Sequence, residues 1–183
     1  GDCMDVITNL PDNSVDFSVY SPPFAGLYIY SSDKRDMSNN ESTEEFLKHY
    51  EFLIEQMSRV MKAGRICAVH CTDVITQTTK HNLWDFPHEI IKLHLKHGFT
   101  YNNRITIWKE PLEVRMRTMV QSLMHKFIVE DSTKCFTAMP DYMLIFTKKG
   151  DNEVPVIHPF GINEYAGETP ILPNIQRAYN NAN

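Results

Sequence analysis

Apolar positions along the chain follow two spacings, which predicts that helices and strands alternate. Met4, Ile7 and Leu10 lie three residues apart, which is typical of a short helix. The segment Val15–Tyr20 is instead a strand-like apolar run. Between Phe46 and Met61, apolar residues recur three and four positions apart, which indicates a longer helix.

Capping signals set the predicted ends of two longer helices. Ser42 is followed three residues later by Glu45, which matches a capping box at a helix start. Gly64 is a typical helix stop, so the first long helix is predicted to end at the residue before it. Pro87 at a first helical position and Gly98 after the last turn bracket the second helix.

Three further segments read as strands, namely Arg65–Cys71, Thr100–Trp108 and Asp141–Thr147. Strands that alternate with helices in short units predict an α/β sheet with right-handed crossovers. The polar segment 25–42 is expected to be a long loop that covers a site, and 72–86 is expected to be a second loop.

Composition predicts one compact domain without a membrane anchor. The chain has 183 residues, and 42% of them are apolar, which suffices for a core. We expect residues 1–150 to form this domain and 151–183 to form an irregular tail. No signal peptide or apolar run of membrane-spanning length is apparent, and the four cysteines show no paired framework. These features favour a cytoplasmic protein.

The most informative motif comes directly after the first predicted strand, and it consists of Ser21, Pro22, Pro23 and Phe24. Ligand sites in α/β sheets lie outside the carboxyl ends of the strands. The prolines impose an extended backbone. Because proline has no N–H, few nearby backbone donors compete with a ligand for the carbonyl oxygens. The Ser21 hydroxyl and the Pro22 carbonyl could accept both hydrogens of an aromatic amine, while the Phe24 ring stacks on its heterocycle. The motif therefore predicts a site that binds such an amine.

These residues resemble a known family. Ser21–Phe24 is similar to the (D/N/S)-P-P-(Y/F/W) motif of S-adenosylmethionine-dependent amino-methyltransferases that act on DNA. The lead-in 1–16 resembles the run before that motif in bacterial and phage enzymes, and 107–109 and 140–146 resemble the last two strands of the same catalytic domain. The resemblance implies a Rossmann-like methyltransferase sheet with helices on both faces and a late antiparallel strand pair.

The resemblance also implies a cofactor site at the start of the chain. By analogy with the family, Asp2 accepts a hydrogen bond from the adenine amine of S-adenosylmethionine, and Cys3 lies beside it. Asp2 could equally be the N-cap of the first helix, and both roles are compatible. The family's glycine-rich cofactor loop is not found among the seven glycines. We therefore expect a partial domain with the catalytic half first. Either it binds the cofactor weakly or not at all, or another segment or chain supplies the cofactor-binding half.

Charge predicts where double-stranded DNA is bound. The net charge is −5, but residues 109–149 hold seven basic and five acidic residues. We read 112–133 as a helix with a basic edge, within a DNA-contacting insertion at 109–135. The candidate DNA-binding residues are Lys109, Arg115, Arg117 and Lys126. An ordinary solvated face remains an alternative, and the segment 151–183 could begin a target-recognition region.

Competing chemistries are disfavoured by the residues present. Cytosine C5 methylation uses a cysteine that typically follows a proline, and no Pro-Cys pair occurs. Cys67, His70 and Cys71 have poor spacing for zinc, and a strand would point His70 away from the cysteines. No phosphate-binding glycine fingerprint is present, so we expect no metal site and no nucleotide loop.

The sequence thus predicts methyl transfer to the exocyclic amine of a flipped DNA base. Ser21 favours cytosine N4 over adenine N6 slightly, because the adenine enzymes of this family more often have Asp at that position. The alternatives that stay open are a catalytically inactive DNA-binding module of the same fold and an amino-methyltransferase that acts on RNA or on protein glutamine. The sequence also leaves open a homodimer, the recognition sequence, and a role in restriction, phage biology or regulation.

Overall fold

The computed structural model describes residues 2–24, 30–33, 35–40, 42–75, 83–118, 125–135 and 140–157. Helices and strands alternate along these segments, as the apolar spacing predicts. In chain order they are α1 (Cys3–Ile7), β1 (Val15–Tyr20), α2 (Thr43–Val60), β2 (Met61–Thr72), β3 (Val74–Ile75), β4 (Leu83–Trp84), α3 (Phe86–Lys96), β5 (Phe99–Ile107), α4 (Pro111–Thr118), α5 (His125–Glu130) and β6 (Asp141–Lys148).

The described strands form a mixed four-stranded sheet in the order β1-β2-β6-β5. β1 runs parallel to β2, whereas β6 is antiparallel to both β2 and β5. The prediction of an α/β sheet with a late antiparallel strand pair is therefore confirmed. The sequence predicts only a loop over 72–86, but this segment contributes β3 and β4, which pair as a short separate sheet.

One face of the main sheet carries the core. Side chains alternate between the faces of a strand, and Cys67, Val69, Leu144 and Phe146 are all fully buried on the same face. They join a cluster that includes Phe46, Tyr50 and Ile54 of α2 and Phe86 and Ile90 of α3. The other face exposes Phe17, Val19, Ile66 and Ile105.

The boundary between α2 and β2 differs from the sequence prediction. α2 begins at the predicted N-cap, where the Ser42 hydroxyl accepts a hydrogen bond from the Glu45 amide. The helix ends at Val60 rather than beside Gly64, and β2 starts directly at Met61. Gly64 lies inside β2, in a bulge where the register with β1 shifts, and its φ is 71°. It therefore supplies a left-handed conformation within a strand and does not stop the helix.

The predicted helix over 112–133 is also corrected. In the described part of this region, α4 begins one residue earlier, at Pro111, α5 ends at Glu130, and a turn of 3-10 helix follows over Ser132–Lys134. The Asp131 side chain caps that turn through the Thr133 amide, so the α-helix ends at Glu130. Residues 119–124 lie outside the described part of the chain.

The chain divides into two compact units, Gly1–Glu153 and Val154–Asn183. The first contains every helix and strand named above. Of the second unit, residues 154–157 are described, and they contain neither helix nor strand. The division lies close to the boundary expected at 150, and most of the predicted tail lies outside the described residues.

Candidate active site

The motif continues β1 beyond its carboxyl end and presents a hydroxyl to solvent. Ser21 is exposed, Pro22 is buried, and Pro23 and Phe24 are half-buried. Because Pro22 anchors the segment, Ser21 is held at the surface of the sheet edge. The loop expected over 25–42 is described only in part, and residues 25–29 lie outside the described residues.

The Phe24 ring is oriented by two neighbouring rings. His70, near the end of β2, lies with its centroid 6.2 Å from that of Phe24 at an interplanar angle of 62°. Phe86, at the start of α3, lies 6.5 Å away at 83°. Both contacts are edge-on, which suits the quadrupoles of the rings. Phe24 is thus fixed by two separate elements of the fold.

A buried hydrogen-bond chain lies beneath the motif. The Tyr20 hydroxyl is 2.7 Å from the Tyr50 hydroxyl and 3.3 Å from Nε2 of His94. Nδ1 of His94 is 2.8 Å from the Ile90 carbonyl oxygen, so Nδ1 donates and Nε2 accepts from Tyr20. The His94 ring also stacks on Phe146 with a centroid distance of 4.2 Å. The residue before Ser21 is therefore tied to both α2 and α3.

Burial sets the protonation states in this chain of hydrogen bonds. It raises the pKa of Tyr20 and of Tyr50 well above the usual range, so both stay neutral phenols. His94 has no exposed surface, and burial lowers its pKa to about 4. Sequence reasoning missed this network, because its members come from three different elements and no local pattern connects them.

We expect the neutral state of His94 to make folding stability depend on pH. Its pKa rises on unfolding from about 4 to the ordinary 6.5, so the unfolded chain binds the extra proton between these values. The free energy of unfolding should therefore fall as pH drops from 6.5 to 4, with a His94 contribution of up to about 1.4 kcal/mol per pH unit. Urea unfolding across this range would measure it. His94→Gln should flatten the dependence, whereas His88→Gln, an exposed position on the same helix, should not.

A cavity of about 1110 Å³ brings together the two sets of residues that the sequence singled out. Its wall includes Ser21, Pro22 and Pro23 from the motif, and Asp2 and Cys3 from the start of α1. The rest of the described lining comes from other residues of α1 and β1, from the α2 residues between His49 and Met57, and from Ser31, Asp33, Arg35, Asp36 and Met37. Phe24 lies outside that lining. The catalytic and cofactor candidates, apart from Phe24, therefore share one cavity.

Asp2 has two roles in the structure. Its Oδ1 accepts a hydrogen bond of 2.9 Å from the Met4 amide and caps α1, as the alternative interpretation expected. Its Oδ2 is 3.3 Å from the Arg35 guanidinium, which also contacts Asp5. These carboxylates raise the pKa of Arg35. Partial burial and the Asp2 charge raise the pKa of Cys3, so its thiol is uncharged at neutral pH.

The cavity has an acidic lining. Its described carboxylates belong to Asp2, Asp5, Asp33, Asp36 and Glu55. Arg35 is the permanent cation among the described lining residues. An excess of carboxylates favours a ligand that carries positive charge.

Comparison with known proteins identifies the family. A family model described as DNA methylase, for the N6 and N4 amino-methyltransferases, matches residues 15–181, which is most of the chain. The chain belongs to this DNA methylase family. The family depends on S-adenosylmethionine, as the sequence analysis expected. The type II methyltransferase M.BglII from Bacillus subtilis is 40% identical over 62 residues, which are 34% of this chain and 15% of M.BglII.

Solved structures show the same fold in other DNA methylases. TTHA0409 of Thermus thermophilus, a candidate DNA modification methylase, superposes with a TM-score of 0.60 at 21% identity, over 85% of this chain and 54% of that one. The PvuII cytosine-N4-specific DNA methyltransferase gives a TM-score of 0.57 at 15% identity, over 81% and 48%. This member of the DNA methylase family therefore spans about half the length of these two solved relatives.

The predicted DNA-binding residues differ in their exposure and in the partners that they contact. Lys109 contacts the buried Asp141 carboxylate, so its positive charge is paired within the protein. Lys126 is exposed on α5. Arg115 and Arg117 lie on α4, but their side chains are outside the described residues. DNA contact by this DNA methylase through these residues stays a prediction.

Cys67 and Cys71 point into the core of this DNA methylase, and burial raises the pKa of each thiol to about 12. Within the described segments no group of three or more His, Cys, Asp or Glu side chains has the geometry of a metal site. No helix in those segments is both long and apolar enough to cross a membrane.

Proposed function

We propose that the protein transfers a methyl group from S-adenosylmethionine to the exocyclic amine of a DNA base that has been turned out of the duplex. One observation carries this proposal: the exposed Ser21 hydroxyl lies on the wall of a cavity that Asp2 also lines. An amine acceptor and a cofactor-binding carboxylate thus face the same space.

Ser21 and Pro22 would act on the nucleophile. The nitrogen lone pair of a base amine is delocalised into the ring, so the amine reacts poorly. Acceptors placed on its two hydrogens, the Ser21 hydroxyl and the Pro22 carbonyl, favour a more tetrahedral nitrogen. They also stabilise the positive charge that grows on it during methyl transfer. Phe24 would hold the flipped base by stacking, an interaction of about 1–3 kcal/mol.

The residues of the cavity fit the cofactor. S-adenosylmethionine supplies an activated methyl group and carries a net positive charge, which the acidic lining favours. Asp2 and Cys3 would hold its adenine end. Asp2 caps α1 through Oδ1. Its Oδ2, which now contacts Arg35, is therefore the oxygen that would accept a hydrogen bond from the cofactor.

The remaining part of the cofactor site would come from elsewhere. Strand β1 is an edge of the sheet among the described strands, and its far side has no described partner. No glycine-rich loop occurs in the sequence given. We therefore propose that another segment or chain completes the site beside β1.

Cytosine N4 is the proposed acceptor, with adenine N6 as the second choice. Both amines have the same chemistry, so the preference rests on Ser21 alone. The lack of a glycine-rich loop favours one other function, that of a DNA-binding module without catalysis.

Three measurements on the complete protein would test the function. Calorimetry with S-adenosylmethionine should show binding, and Asp2→Asn, which keeps the N-cap but removes the charge, should weaken it about tenfold. Incubation with DNA and labelled cofactor should place label on cytosine N4, identified by mass spectrometry of the nucleosides. DNA binding without cofactor binding would instead support the inactive module.

A further inference from the structure

His70 contacts Phe24, the ring on which the flipped base is proposed to stack. It is near the carboxyl end of β2, and its ring is in edge contact with Phe24, 6.2 Å between centroids. Its side chain is 31% exposed, so the imidazole is accessible to solvent. A base stacked on Phe24 would therefore have His70 as a close polar neighbour.

A buried carboxylate fixes the tautomer of His70. Nε2 is 2.9 Å from Oδ2 of Asp141, and the Asp141 side chain is only 8% exposed. Because an ionised carboxylate only accepts, Nε2 carries the hydrogen and Nδ1 keeps a lone pair. Nδ1 has no hydrogen-bond partner among the residues that the structure describes.

One contact engages Asp141 itself, and a second fixes the residue before it. Lys109 contacts its other oxygen, Oδ1, and balances the negative charge of the carboxylate. The Thr72 hydroxyl, on the strand beside it, donates a hydrogen bond of 2.9 Å to the Pro140 carbonyl. Among the described residues, the charged group in contact with His70 is Asp141 from β6, with Lys109 from the segment after β5 behind it, and the motif contributes the uncharged Phe24.

The proposed reaction releases a proton, and the Ser21–Phe24 motif has no basic group to accept it. As the nitrogen–carbon bond forms and the sulfur–carbon bond breaks, the amine nitrogen becomes positively charged and must lose one hydrogen. The Ser21 hydroxyl and the Pro22 carbonyl can accept hydrogen bonds, but neither holds a proton at neutral pH. A base within reach of the amine would remove it.

We propose that His70 is this base, so this inference rests on the proposed function. The proton passes from the methylated nitrogen to Nδ1, directly or through one water, and the lone pair of the old N–H bond returns to the base ring. The imidazolium that forms is stabilised by Asp141 through Nε2 and later loses its proton to solvent. Asp141 is a positioning residue in this arrangement.

The test is single-turnover methylation by the complete protein between pH 8 and 5.5. The wild-type rate should fall towards the acidic end of this range, because a base that already carries a proton cannot accept another. His70→Gln keeps a donor near the Nε2 position but has no basic nitrogen. At neutral pH it should be slower by about 10²- to 10⁴-fold, and it should lose the acidic limb. Added imidazole should partly restore the rate of His70→Ala.

A matched control separates catalysis from stability. His97 also pairs with a carboxylate, 2.7 Å from Glu51, but on the helical side of the fold. His97→Gln should keep the wild-type rate and pH profile. A rate and pH profile of His70→Gln that match those of the wild type would overturn the role of His70. Absence of methylation by the wild-type protein would instead reject the proposed function itself.

Discussion

Ser21→Ala should lower the rate of methyl transfer by about 10²- to 10³-fold, the usual cost of one lost group that stabilises transition-state charge. The hydroxyl is exposed on the cavity wall, so its removal leaves no buried polar group unpaired and should hardly change stability. Single-turnover incorporation of labelled methyl groups into DNA would measure the effect, and cofactor affinity should stay within about twofold.

Ser18→Ala is the matched control for this variant. Ser18 lies three residues earlier, on β1, and lines the same cavity, but its hydroxyl is hydrogen-bonded to the Cys67 thiol. We expect its methylation rate to stay close to that of the wild type. If both serine variants retained full activity, the hydroxyl of Ser21 would have no part in the chemistry.

Gly64→Ala should lower the free energy of unfolding by about 3 to 5 kcal/mol, the sum of backbone strain and overpacking. Gly64 has a φ of 71°, which a side chain disfavours. A Cβ there would lie 2.6 Å from Cβ and 2.9 Å from the backbone N of Asn152, in the segment that follows β6. Because one of these atoms belongs to the backbone, the neighbour cannot simply rotate away. Urea denaturation would give the change.

Gly98→Ala separates strain from crowding. Its φ of 84° is equally unfavourable, but the nearest atom to an added Cβ is the flexible end of Lys148 at 3.4 Å. Strain alone should then cost about 1–3 kcal/mol. Equal losses at Gly64 and Gly98 would show that the packing against Asn152 contributes nothing.

Local chemistry in the sequence determines much of this fold. The strand Val15–Tyr20 and the helix N-cap at Ser42 are predicted as the structure has them, because alternation and caps act over a few residues. The order of strands and helices follows in the same way. The place of the motif at the end of β1 follows from the sequence as well, whereas its binding of an aromatic amine stays a prediction.

The parts that the sequence could not predict depend on distant residues. Apolar spacing continues from Met57 to Met61, so nothing local shows that α2 has ended at Val60. Gly64 resembles a helix stop until its bulge and the approach of Asn152 are known. His94 shows only the spacing of an amphipathic helix, since its partner Tyr20 lies far along the chain. The pairing of His70 with Asp141 is equally remote in sequence.

The last strand in sequence, β6, lies between β2 and β5, and for example Val69 pairs with Leu144. During synthesis, β5 therefore emerges from the ribosome before β6, its partner among the described strands, and the four-stranded sheet closes only once Lys148 is available. Strand pairs that are so far apart in sequence form slowly, and until they form, the unpaired strand edges are prone to aggregation. A gene cut anywhere before the codon for Lys148 should thus give an unstable polypeptide rather than a smaller version of this domain.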